Sequence, residues 1–156
     1  MTAHKELESD IYQVFGGQDD EQIFALTLYG EARGESREGR IAVGTVILNR
    51  VDRRGWMGRT IKEVCLKPYQ FSCFLPDDPN FKILHLITLG WTEKLQQSSV
   101  LCECLAIAKG MINGEIPRDE RLLDAINYKA SGCRAAWASK MRRVIKIGNH
   151  VFYAVS

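Results

Sequence analysis

Apolar residues recur at helical spacing through most of the chain. From Glu21 to about Arg33, Phe24, Leu28 and Glu31 fall at i, i+4 and i+7, beside a row of Ile23, Leu26 and Gly30, so a helix is predicted there. Asp19 or Asp20 supplies its cap and Gly34 its stop. Ser36 starts a second helix, with Glu38 in its first turn, running to about Asp52. The interior of that helix, IAVGTVIL, is apolar on nearly every side and predicts a core element. Its β-branched residues suit a strand, but its length favours a helix. Before these two, residues 1–20 form a short capping helix and a loop broken at Gly16-Gly17.

Beyond them, Thr60 opens a short helix, TIKEVCLK, that Pro68 closes, and YQFSCFLPDDPNF is expected to be a loop or short hairpin. A long helix from about Ser98 to Asn113 ends at Gly114. Ile126–Ala130 is a short strand and Arg134–Met141 a short helix. RRVIKIGNHVFYAV divides into two β-rich runs around Gly148-Asn149, a hairpin signal. The pattern predicts a mainly helical α+β domain with a small antiparallel sheet or hairpin at the C-terminus.

Composition narrows the class. The 156 residues suit one domain. Hydrophobic residues at 46% and charged residues at 26% describe a globular chain. Twenty-one Lys and Arg against 19 Asp and Glu leave a net charge of +2, too mild for a nucleic-acid binder. The basic stretch Lys140, Arg142, Arg143 and Lys146 is either a solvated face or a surface toward an anionic wall, and the solvated face is the simpler assignment. No segment reaches the roughly 18 apolar residues of a membrane span, so no stable membrane insertion is expected. The N-terminus carries Glu6, Glu8 and Asp10 and lacks the apolar run of a secretory signal, so synthesis in a cytosol is expected. Five cysteines at irregular spacing, Cys65, Cys73, Cys102, Cys104 and Cys133, are expected to be reduced and buried as small hydrophobes. There is no CxxC pair and no HExxH pattern, so neither a metal nor another cofactor is expected.

Glu31 is the most informative position. At helical periodicity it lies within about 20° of Phe24 and about 60° of Leu28, on an apolar face. It also sits in the last helical turn, where the helix dipole disfavours negative charge. Apolar surroundings and the dipole both favour the protonated carboxyl that a general acid needs. The plainer alternative is a surface glutamate paired with Arg33 or another base. Glu35, four residues on, is either a second carboxylate near the first or a turn and cap residue.

The blocks EARGE, EG, AV and VILNR between Glu31 and Arg50, then QFS at Gln70, Phe71 and Ser72, then IG-x-H-x-FY from Ile147 to Tyr153, resemble the SleB/CwlJ family of cell-wall hydrolases. The resemblance implies a lysozyme-like fold, with residues 1–20 as a capping segment and 21–156 as the catalytic domain. It also implies cleavage of the β-1,4 bond between N-acetylmuramic acid and N-acetylglucosamine. The first Glu of EARGE, Glu31, would be the catalytic acid. As in lytic transglycosylases, it would protonate the bridging oxygen and then deprotonate the muramic C6 hydroxyl, leaving a 1,6-anhydro end. One carboxylate suffices for this chemistry, although Asp77, Asp78 or Glu35 stays open as a partner.

Gln70, Phe71 and Ser72 offer an amide, an aromatic face and a hydroxyl for binding sugar, the plainer alternative being a turn with one buried Phe. Asn127 and Tyr128 fall where relatives carry a polar-aromatic strand and are placed in the cleft. Tyr29 is assigned to core or rim, and Tyr153 to either cleft or sheet core. His150 is assigned a structural role, with a hydrogen bond fixing the hairpin. The partner implied is the peptidoglycan glycan strand, met by a monomer. A compact lytic domain without an export signal resembles phage endolysins that wait in a host cytosol and act on the wall after release. A muramidase cutting the same bond and a non-catalytic wall-binding protein are the alternatives.

Overall fold

A computed structural model describes residues 3–156. The first two positions of the 1–20 capping segment lie outside the described residues. Among the described residues, seven α-helices lead into three strands: α1 Ala3–Phe15, α2 Asp20–Ala32, α3 Arg37–Arg53, α4 Ile61–Leu66, α5 Pro79–Leu89, α6 Trp91–Gln97, α7 Ser99–Asn113, β1 Ala125–Ala130, β2 Met141–Ile147 and β3 His150–Val155.

The caps explain where the central helices begin. Asp19 Oδ1 accepts from Gln22 N at 2.8 Å and Gln22 Oε1 accepts from Asp19 N at 3.2 Å, a reciprocal capping box on α2. Ser36 caps α3 through Gly39 N, and Ser98 caps α7 through Leu101 N. Helix α3 is buried almost throughout from Gly39 to Arg50 and packs against α2, α4, α7 and β1. Its β-branched residues did not make it a strand, because every face of this long segment is covered by another element. Gly44 lets α7 come close, since a Cβ there would lie 2.6 Å from Met111 Sδ. Ile11 and Phe15 of α1 enter the same core, with Phe15 edge-on to Phe74 at 5.0 Å.

The sheet is antiparallel in the order β1-β3-β2. The expected hairpin forms around Gly148, whose φ of +58° suits glycine. The strand near Ile126 adds to its other side, so β3 is central and buried from His150 to Ala154. A register shift between Ala125 and Asn127 bulges β1. The carbonyls around the bulge turn toward α3: Ile126 O accepts from Arg50 Nε at 2.7 Å, and Ala125 O from Asn49 Nδ2 at 2.8 Å.

Three expectations need correction. Of the loop or short hairpin expected at YQFSCFLPDDPNF, the loop holds as far as Asp78: it carries a 3-10 turn, Ser72–Phe74, and passes into α5 at Pro79. Pro79 occupies the first turn of α5 and Asp78 caps it through Asn80 N at 2.8 Å, so the proline opens a helix rather than a loop. The Arg134–Met141 helix shrinks to a 3-10 turn at Ala136–Lys140, because Met141 already begins β2. The cysteines divide: Cys65, Cys73 and Cys104 are buried, whereas Cys102 and Cys133 are exposed. All of the basic stretch, Lys140, Arg142, Arg143 and Lys146, is exposed.

Candidate active site

A cavity of about 400 Å³ opens where the end of α2 meets the sheet. Glu31 lies on its α2 side, half-buried. Gln70 and Ser72 come from the segment after α4, and Tyr128 and His150 from neighbouring strands. Asn80, at the start of α5, is drawn in by Arg33, whose Nη2 donates to Asn80 Oδ1 at 2.8 Å. Leu28 and Phe24 stay in the core beneath, so α2 presents its apolar rows inward and Glu31 at the rim.

Tyr128 Oη donates a hydrogen bond to Glu31 Oε1. Burial, followed by the charge of Glu31 and this bond, holds the Tyr128 hydroxyl well above its ordinary pKa, so it stays a donor across the working range. Beneath lies the Cys73 thiol, raised by burial first and then by the Glu31 charge. Its Cβ is close enough to Gly30 that no larger residue fits before Glu31. The surroundings of Glu31 are therefore more polar than the apolar row of α2 implies: a phenol and a guanidinium share the cavity with it.

That guanidinium belongs to Arg50, which is only 4% exposed. Nε is held by Ile126 O, Nη2 donates to Asn127 Oδ1 at 3.1 Å, and the group lies 5.0 Å from the Phe71 ring centroid. Burial pulls its pKa down, against the opposing pull of Tyr128, Cys65 and Glu31. Arg50 had a place in the VILNR block but no role, because its partners on β1 are far away in sequence. The cavity also takes in Lys129 and Tyr69, which carried no local signal.

Four expected roles change. Phe71 is 1% exposed and offers no face to a sugar; it backs Arg50 and lies 6.4 Å from the Tyr128 ring. Glu35 does not line the cavity. Asn149 N donates to its Oε1 at 2.8 Å and Asn149 Nδ2 to its Oε2 at 3.0 Å, tying the α2–α3 turn to the β2–β3 hairpin. Burial alone would raise the Glu35 pKa, but these two bonds and the nearby His150 hold it below the ordinary glutamate value. His150 does not fix the hairpin by a hydrogen bond: its Nδ1 is buried without one, 4.0 Å from Glu35 Oε1, and its ring packs 4.8 Å from that of Tyr128. Asn127 lines an adjoining cavity rather than that of Glu31. Tyr153 is sheet core, edge-on to Trp137. Asp77 and Asp78 stand outside the cavity, Asp78 as the cap of α5.

The model of the cell wall hydrolase family matches residues 34–153. The chain belongs to the cell wall hydrolase family. That match starts three residues after Glu31, which lines the cavity. A spore cortex-lytic enzyme of Oceanobacillus iheyensis is 44% identical over 55 residues, 35% of this chain and 20% of that protein. One from Bacillus cereus is 42% identical over 55 residues, 35% of this chain and 21% of that protein. The chain thus spans about a fifth of the length of the curated relatives it matches. Among solved structures, the catalytic domain of the germination-specific lytic transglycosylase SleB from Bacillus anthracis is similar, with a TM-score of 0.57 and 26% identity. The match covers 90% of this chain and 99% of that one. The catalytic domain of the Bacillus cereus SleB protein gives a TM-score of 0.54 and 25% identity over 90% of this chain and 94% of that one. This member of the cell wall hydrolase family shares with them its mainly helical body and small terminal sheet.

Proposed function

We propose that the protein is a lytic transglycosylase of peptidoglycan, cutting the β-1,4 bond between N-acetylmuramic acid and N-acetylglucosamine. The observation that carries this is that Glu31 is the one acidic side chain among the described residues lining its cavity. A retaining glycosidase places a second carboxylate about 5–5.5 Å from the first, and an inverting one about 6.5–9.5 Å away. Glu35 is engaged by Asn149 instead. A lone carboxylate suits a reaction in which the substrate brings its own nucleophile. Glu31, protonated, gives its proton to the bridging oxygen as the C1–O bond breaks. The resulting carboxylate then takes the proton of the muramic C6 hydroxyl as that oxygen bonds to C1. Tyr128 holds Glu31 Oε1 and so orients the carboxyl. Gln70 and Ser72 supply polar contacts to the sugar.

A turbidity assay on permeabilised cells tests this. E31Q should clear them roughly 100- to 10,000-fold more slowly, the range for loss of a general acid. Wild type clearing no faster than E31Q would leave a wall-binding protein. As the setting we propose lysis of a bacterial host by a phage endolysin. Cells expressing the chain in their cytosol should stay intact until their inner membrane is permeabilised; lysis without permeabilisation would count against this setting.

A further inference from the structure

Next to the Glu31 cavity lies a second one of about 320 Å³, and the two share Arg50, Tyr69, Gln70 and Tyr128. Its remaining walls are Trp56, Trp137 and Asn127. Besides Tyr128, three aromatics converge from three separate segments: Trp56 from the α3–α4 loop, Tyr69 from the turn after α4, and Trp137 from the 3-10 turn before β2.

Two of them are held outward by constrained backbone. Gln70 N donates to Lys67 O at 3.2 Å, closing a turn with Pro68 and Tyr69 at its centre. Tyr69 has a φ of +68° and is 67% exposed. That place in such a turn favours Gly or Asn, and a bulky residue there costs on the order of 1 kcal/mol. Trp56 is 65% exposed, although Met57 beside it is buried. The loop that presents it is fixed by Arg54 in the left-handed region and by Gly58 at φ +123°, where a Cβ would lie 2.8 Å from Val64 N. The Arg54 conformation also ends α3, through its N–H to Val51 O, whereas Tyr69 holds a bulky ring in water at positive φ, a cost that a ligand covering the ring offsets.

We propose that this second cavity is a saccharide subsite for the next rings of the glycan strand that Glu31 cuts. Trp56 and Tyr69 stack on the apolar faces of the sugars, and the Asn127 and Gln70 amides meet their polar groups. The occupant follows from continuity: four side chains line both cavities, so a linear polymer entering one runs into the other. Among the described residues Asn127 Nδ2 donates only to Met141 Sδ, a weak acceptor at 3.4 Å, and so keeps a donor for an acetamido or hydroxyl oxygen. This inference rests on the glycan reading of the Glu31 cavity.

The test uses the full chain carrying E31Q, titrated with the hexamer of N-acetylglucosamine and followed by tryptophan fluorescence and calorimetry. Trp56→Ala and Tyr69→Gly, each added to E31Q, should weaken hexamer binding roughly tenfold, as loss of one stacked aromatic would. Trp56→Phe should restore most of the affinity. Because Tyr69→Gly relieves the turn, its melting temperature should hold or rise while its affinity falls, an outcome that a merely structural tyrosine would not give. In the catalytically intact background, Trp56→Ala should raise KM for glycan more than it lowers kcat. Hexamer binding equal to that of the parent in both variants would overturn the subsite. If instead binding depends on Trp56 and Tyr69 but wild type and E31Q are equally inactive, the subsite stands and the transglycosylase reading falls.

Discussion

Helix α3 carries two buried arginines, one at each end, and their surroundings differ. Arg40 is saturated. Its Nε and Nη2 donate to Ala32 O and Arg33 O at the end of α2, at 3.2 and 2.8 Å, and its Nη1 pairs with Glu103 at 2.9 Å. It closes the carbonyl end of α2 with a cation, where the helix dipole favours one. Beside it Glu35 is equally satisfied by Asn149. At the other end Arg50 has a buried Nη1 without a partner, and across the cavity so has His150 at Nδ1. Buried polar atoms are normally paired. Among the described residues, both side-chain exceptions belong to residues lining the Glu31 cavity. The α2–α3 corner is built for rigidity, and the cleft holds unmatched polar capacity.

Substitutions at the two arginines should separate those roles. Arg50→Ala strands Ile126 O and Asn127 Oδ1 and empties a packed site, with an expected loss of about 3–5 kcal/mol in urea unfolding and of most lytic activity. Lysine should not rescue it, lacking the fork that reaches both acceptors. Arg40→Ala should cost about 2–3 kcal/mol, since Glu103 is exposed and can hydrate, while turnover per folded molecule holds. Equal loss of turnover in the two variants would break the distinction between corner and cleft.

A smaller effect is expected at Glu35. Its lowered pKa means that the ionised form is the one bound by Asn149. The stability it contributes is in place above about pH 4.3, the ordinary glutamate value, and fades as pH falls through the lower folded value. E35Q should cost on the order of 1 kcal/mol at neutral pH and flatten the acid limb of a stability profile. A profile parallel to wild type would count against the tie. The smallest perturbation is a thiol count. Cys65 is pushed up to about 12 and Cys104 to about 11 by burial, whereas Cys102 and Cys133 are exposed. Two of the five thiols should react rapidly with a disulfide reagent in the native state, and all five in urea.

What could be read locally was the helical frame. Asp19, Ser36, Thr60 and Ser98 are caps, and the structure uses each one as such. Helix α5 escaped because Pro79 and the exposed Ile83, Leu86 and Leu89 blur its start and its polar face. Within the cleft, Glu31, Gln70, Ser72 and Tyr128 meet around one cavity, whereas Phe71 turns inward. In QFS the aromatic ring packs into the core and its two polar neighbours line the cavity, so of the two readings the run allowed, the turn with one buried Phe describes Phe71. Arg50 and Glu35 take their meaning from Ile126, Asn127 and Asn149, which no spacing rule connects to them.

The most direct measurement is mass spectrometry of the fragments that the full chain releases from purified peptidoglycan. Wild type should yield 1,6-anhydromuramic ends, each one water lighter than a reducing end, and E31Q should yield almost none. Reducing ends from wild type, or equal release by E31Q, would contradict a single glutamic acid acting with the substrate's own hydroxyl.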